Sequence, residues 1–176
     1  MEALRTPDER FAALPGWPYA PLYLQHRGLR VHYVDEGPRD AKVTVLALHG
    51  NPSWAYLWRH MIPVFTAAGL RVVAPDLVGF GRSDKPVDAA FHTFAFHRGQ
   101  LLSLVEALDL TNVMLACQDW GGIFGLTLPM ALPERFTRLL VMNTGLGTGQ
   151  VTEGFRQWRT YSNSQPDLPV GKLFKR

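Results

Sequence analysis

Cysteine is almost missing from this sequence: one residue, Cys117, among 176. A lone thiol excludes an internal disulfide framework and predicts a reducing compartment. No apolar run approaches the roughly 20 residues of a membrane span. The opening "MEALRTPDERF" carries charges where a secretory signal needs an apolar core. Lys and Arg number 18 against 15 Asp and Glu, for a net charge of +3, and the basic residues are scattered. No cluster marks a nucleic-acid or membrane-surface patch. None of the six histidines stands at metal-ligand spacing, and there is no P-loop. In "GFGRSD", Asp84 takes the place of the third glycine of a dinucleotide fingerprint. These absences lead to the expectation of a soluble, cytoplasmic protein with neither nucleic acid nor membrane among its partners. With 47% hydrophobic residues, the chain can bury the core of about one domain.

What is present alternates between two periodicities. Residues 1–21 are Pro-rich and irregular. "LRVHYVDEG" (29–37) alternates as a half-exposed strand should, and "VTVLALHG" (43–50) reads as a strand buried on both faces. "WAYLWRHMIPVFTAA" (54–68) has helical spacing interrupted by Pro63, which predicts a kinked or divided helix. "LRVVAPD" (70–76) is another buried strand, followed by a loop. Further on the pattern predicts a helix over 94–109, a strand over 112–117, a helix over 121–131 and a strand over 136–143. Strands alternating with helices imply an α/β protein with a mostly parallel sheet covered on both faces. From about residue 145 the texture turns Gly- and Thr-rich. A short helix is expected near 153–161, as the opening of an insertion that leaves the sheet.

In such sheets ligands bind at the carboxyl ends of the strands. Three polar motifs fall there: "HGNP" (49–52), "PDLVGFGRSDKP" (75–86) and "CQDWGG" (117–122). The last has the form of a nucleophile elbow with Asp119 in place of the usual serine. Taken alone, Asp before a helix is more often an N-cap, and "HGNP" is a turn sequence. Together the motifs argue otherwise. An oxyanion hole of this type takes one N–H from the residue after the nucleophile and one from the loop after a preceding buried strand. Trp120 and Asn51 occupy those places.

The stretch from "HGNPSWAYLWRHMIP" through "DLVGFGRSDKP" to "QDWGGIFGLTLPMALPERFTRLLVMNTG" resembles the haloalkane dehalogenases of the α/β-hydrolase superfamily. The resemblance implies an α/β-hydrolase core over residues 22–147 and the beginning of a helical cap domain over 148–176, with the sequence truncated at the start of that cap. It implies hydrolysis of haloalkanes to alcohol and halide through an alkyl ester on Asp119. Asp suits this task because it is ionised at neutral pH without a base to activate it. Trp120 matches the residue whose indole N–H holds the departing halide. For the second halide donor two candidates stand: Trp158 in "EGFRQWRTY", and the side chain of Asn51. Phe155, Trp158 and Tyr161 also share i, i+3 spacing, so an ordinary packing stripe is the competing reading of Trp158. His49, Asp76, Gly79, Gly81, Ser83 and Asp84 match supporting positions, and Cys117 is expected to be a buried, inert thiol.

The resemblance implies no cofactor; the partners are a small halogenated hydrocarbon and water, and the family is expected to be monomeric as a rule. The family's ester-hydrolysing His and its acidic partner follow the cap in chain order. Here His26, His32, His49, His60, His92 and His97 all precede Asp119, so none matches that base. The competing expectations are an epoxide hydrolase, which also uses an Asp ester, and a non-catalytic fragment.

Overall fold

The computed structural model describes residues 2–147 and 150–173. The chain divides into two compact units, Met1–Gly145 and Leu146–Arg176. The boundary expected at residue 148 falls on Thr148 and Gly149, which lie outside the described residues.

The first unit contains the strands β1 (Ala3–Leu4), β2 (Leu22–His26), β3 (Leu29–Glu36), β4 (Thr44–Leu48), β5 (Arg71–Pro75), β6 (Lys85–Pro86), β7 (Val113–Gln118) and β8 (Phe136–Met142). Six of them form one sheet in the order β2-β3-β5-β4-β7-β8, while β1 and β6 make a separate two-residue ladder. The pairs β5–β4, β4–β7 and β7–β8 are parallel; β2–β3 and β3–β5 are antiparallel. The sheet is therefore mostly parallel through its centre, as the alternating sequence pattern requires.

Alternation along each strand sends side chains to two cores. Leu46 and Leu48 of β4, with Leu115 of β7, face a layer containing Leu101, Leu104 and Val105. Val45 and Ala47 face the opposite layer with Trp58 and Ile62. Every residue of β4 is buried, which explains its unbroken apolar run. The row Val73, Leu46, Leu115 and Leu139 crosses four strands in register.

The helices of the first unit are α1 (Ile62–Ala67), α2 (Phe94–Ala107), α3 (Trp120–Gly125) and α4 (Leu128–Ala131). The helix expected over 54–68 is divided, into a one-turn 3-10 helix (Ala55–Trp58) and α1, with Pro63 in the first turn of α1. Proline is tolerated there because the first-turn N–H has no intrahelical acceptor. The helix expected over 121–131 is likewise two short pieces, with Pro129 in the first turn of α4. α2 starts at the cap residue Thr93, whose hydroxyl accepts from Phe96 N at 3.2 Å. β2 is a strand that periodicity did not single out. The second unit holds α5 (Glu153–Ser164), capped by Thr152, and α6 (Val170–Leu173). Among the described residues no helix is long and apolar enough to cross a membrane.

The two-sided burial of the sheet sets a stability prediction. Leu115 is wholly buried at the sheet centre, so Leu115→Ala is expected to cost about 2–5 kcal/mol through lost burial and the cavity left behind. Urea unfolding measures this, and a loss well under 1 kcal/mol contradicts the packing described.

Candidate active site

β7 delivers the chain to a sharp junction. Asp119 follows it with φ 53° and ψ −127°, and α3 begins at the next residue. For a residue with a Cβ this backbone region costs on the order of 1–3 kcal/mol, so its surroundings must hold it. Asp119 N donates to Asn143 O (3.0 Å), and the Asp119 carbonyl accepts from Thr144 Oγ1 (2.6 Å) and Gly122 N (2.9 Å). Small residues make the approach possible. A Cβ at Gly121 would meet the backbone of Leu48 and His49, and one at Gly50 would meet the Asp119 side chain itself.

Asp119 stands where an N-cap stands, yet its side chain makes no capping bond. The carboxylate turns the other way and accepts from the backbone N–H of Asn51 at 2.8 Å. Of the two expected backbone donors, the structure has Asn51 on the carboxylate and no bond to it from Trp120.

The loop that carries Asn51 is fixed from behind by two buried groups. His49 donates from Nδ1 to Gly50 O (2.9 Å) and accepts at Nε2 from Leu77 N (2.9 Å), which defines a neutral tautomer. Burial pushes its pKa down, against the pull of Asp76, the Gly50 carbonyl and Asp119. Asp76 is fully buried and accepts from Ala55 N, His32 Nδ1 and Arg82 N, each at 2.8 Å. A Cβ at Gly81 would collide with that carboxylate. Ser83 Oγ donates to Asp76 O (2.8 Å) and accepts from His32 N (2.9 Å). Asp84 is paired with Arg5 and accepts from Arg30 N; burial works to raise its pKa, but the Arg5 and Arg30 contacts bring it below the usual value. Cys117 is buried, and burial pushes its thiol up to about 11, so the thiolate is scarce at neutral pH.

Beside this junction lies a cavity of about 570 Å³ whose walls include Asn51, Leu77, Phe80, His97, Trp120 and Phe124. Asp119 does not line it. The Trp120 indole is 39% exposed, and among the described residues its N–H has no hydrogen-bond partner. Trp158 lies on α5 in the second unit, where Phe155, Trp158 and Tyr161 form an exposed aromatic face. Sequence reasoning did not find Thr144, Asn143 or Gln100. The first two follow a strand's carboxyl end, the place where such residues gather. Gln100 bridges Val78 N (2.9 Å) and Asp76 O (3.1 Å) from the middle of α2, and nothing in its local sequence signals that.

Residues 43–169 match the family described as alpha/beta hydrolase fold. The chain belongs to the alpha/beta hydrolase fold family. It is 52% identical over 182 residues to a haloalkane dehalogenase of Psychrobacter cryohalolentis, an alignment covering 99% of this chain and 60% of the relative. It is 44% identical to a haloalkane dehalogenase of Mycobacterium marinum, over 98% of this chain and again 60% of the relative. Among solved structures, the tetrameric structure of haloalkane dehalogenase DpaA from Paraglaciecola agarilytica matches with a TM-score of 0.94 and 52% identity, over 98% of this chain and 60% of that one. The chain thus spans about 60% of the length of these relatives. The tetramer stands against the expectation that these proteins are monomers as a rule; DpaA is not one.

The buried histidines make the stability of the fold depend on pH. Burial first, then His92 and His49, push the His97 pKa from 6.5 to about 4. A histidine depressed in the folded state contributes stability that is complete above its unfolded pKa and is lost as pH falls through the window toward the folded one. Between pH 7.5 and pH 5, His97 alone should remove about 2 kcal/mol. His26 and His49, also depressed by burial, act in the same direction. Urea denaturation at the two pH values tests this; equal stability contradicts it.

Proposed function

We propose that this chain carries the nucleophilic half of a haloalkane dehalogenase, with Asp119 as the attacking group. The observation that carries the reading is the carboxylate itself. It is held on a strained junction at the end of β7, left uncapping, and turned to the Asn51 N–H. A capping aspartate would accept from the first turn of α3 instead.

In the proposed reaction an Asp119 carboxylate oxygen attacks the carbon bearing the halogen. The new C–O bond forms as the C–X bond breaks, and the halide leaves with the bonding electrons. The Trp120 indole N–H takes up that developing charge, with Trp158 as second donor and the Asn51 side chain as the alternative. A neutral donor is well suited to an anion in a site that excludes water. Water then adds to the ester carbonyl, and backbone N–H groups of Asn51 and Trp120 hold the tetrahedral oxyanion. Collapse returns the Asp119 carboxylate and releases alcohol and a proton. No step needs a metal or organic cofactor.

This second half requires a general base. The six histidines of the sequence all precede Asp119. His32 and His49 are committed to buried structural hydrogen bonds. The reaction is therefore divided: these residues supply alkylation and the oxyanion donors, and not the base that cleaves the ester.

Bromide release with time, from the purified chain and excess 1,2-dibromoethane, tests this division. Release that stops at about one equivalent per chain is the expected course. Sustained turnover contradicts the division by showing a working base among these residues. Asp119→Asn should abolish release, and continued release from that variant overturns the assignment of the nucleophile.

A further inference from the structure

The Trp120 indole is held by more than its own helix turn. Four rings stand in sequence along one wall of the cavity. His92 stacks on His97 with centroids 5.5 Å apart and planes 19° from parallel. His97 stacks on Phe124 at 5.2 Å and 26°, and Phe124 lies 5.3 Å from Trp120 at 30°. All four residues line the cavity. His97 comes from α2, whereas Phe124 and Trp120 come from α3, so the column ties the indole to a different helix.

The two histidines anchor the far end. His92 Nε2 is 3.3 Å from Pro86 O, which can only accept, so that nitrogen donates. In the neutral ring His92 Nδ1 then accepts, and His97 Nε2, 3.4 Å away, supplies the proton. The remaining nitrogen, His97 Nδ1, is buried without a hydrogen-bond partner. A bare ring nitrogen can tolerate that position at modest cost, whereas an N–H there would be an unsatisfied donor. One neutral tautomer thus fits the whole chain from Pro86 to His97, and it fixes the plane of the His97 ring. Phe124, buried to 5% exposure and with the Phe94 ring 5.4 Å away, carries that plane onward.

We propose that His97 is a positioning residue for Trp120, setting through Phe124 the plane of the indole whose N–H receives the halide. The inference rests on the halide role given to Trp120 above. The use of such a brace is visible in the exposure of Trp120, 39%, which leaves core packing less hold on it than on a buried tryptophan. An anion bound by a single N–H depends on where that bond points.

Bromide quenching of intrinsic fluorescence, taken as the difference between the chain and its Trp120→Phe variant, isolates the indole from the other tryptophans. His97→Leu removes a ring from the column and is expected to weaken bromide affinity by about three- to tenfold, the worth of one aromatic pair. His97→Phe keeps a stacking ring and should bind within about twofold of the parent. That rescue separates ring positioning from a general structural role. Phe124→Leu breaks the column one ring further on and should reproduce the His97→Leu loss; it carries the test if His97→Leu does not fold. Parental affinity in the two leucine variants overturns the column while leaving the Trp120 assignment intact. Equal weakening in His97→Phe and His97→Leu also overturns it. Absence of any Trp120-dependent quenching overturns the halide assignment itself, and the inference with it.

Discussion

A positive φ at a residue that is not glycine, Asp119, is the constraint around which this structure is arranged. The conformation is unfavourable by itself, and it persists because three neighbouring elements close on it. β7 fixes its entry, α3 its exit, and the β8 terminus grips its peptide through Asn143 and Thr144. The parallel register of β4, β7 and β8 brings all three ends to one level. Gly50 and Gly121 matter because the backbone after β4 passes so close that no side chain fits between. The strain thus aims a carboxylate at a backbone donor across the sheet, and a regular strand-to-helix turn would point it elsewhere.

Behind that junction sits a polar layer that is fully buried yet well satisfied. Asp76 makes three hydrogen bonds through its side chain, and its carbonyl accepts from Ser83 and Gln100. An unpaired buried carboxylate would be costly, so a network of this kind is stable only when complete. Completeness is also what makes it useful. It fixes the loop bearing Asn51 from one side and the "GFGRSD" loop from the other, and both border the cavity. His49 adds a neutral link between them. Asp76 and Asp119 are thus held by backbone N–H groups, and burial disfavours the charged form of His49 and His97.

Much of this was legible in the sequence, for physical reasons. β4 is buried on both faces and so reads as a nearly unbroken apolar run, and α2 falls within the helix expected over 94–109. The α/β class, the mostly parallel sheet and the strand-end positions of Asn51, Asp119 and Trp120 followed from such local signals. Boundaries governed by proline were harder. Pro63 and Pro129 sit in first turns, where proline starts a helix; the division at Pro63 was expected, whereas the single helix expected over 121–131 is two short ones. β2 escaped notice because five residues with a polar end carry little periodicity. Gln100, Thr144 and the His92–His97–Phe124–Trp120 column were invisible for another reason. Their significance lies in contacts between elements far apart in the chain, and no local pattern encodes those. Trp158 shows the converse: its i, i+3 spacing with Phe155 and Tyr161 was plain, and all three side chains lie exposed on α5.

The central claim is a covalent one, that a haloalkane leaves its carbon skeleton on Asp119. Intact-mass and peptide mass spectrometry after incubation with 1,2-dibromoethane tests it most directly. The account predicts one 2-bromoethyl ester per chain, located on the peptide that contains Asp119. A chain that releases bromide with no adduct there, or with the adduct on another residue, would contradict it.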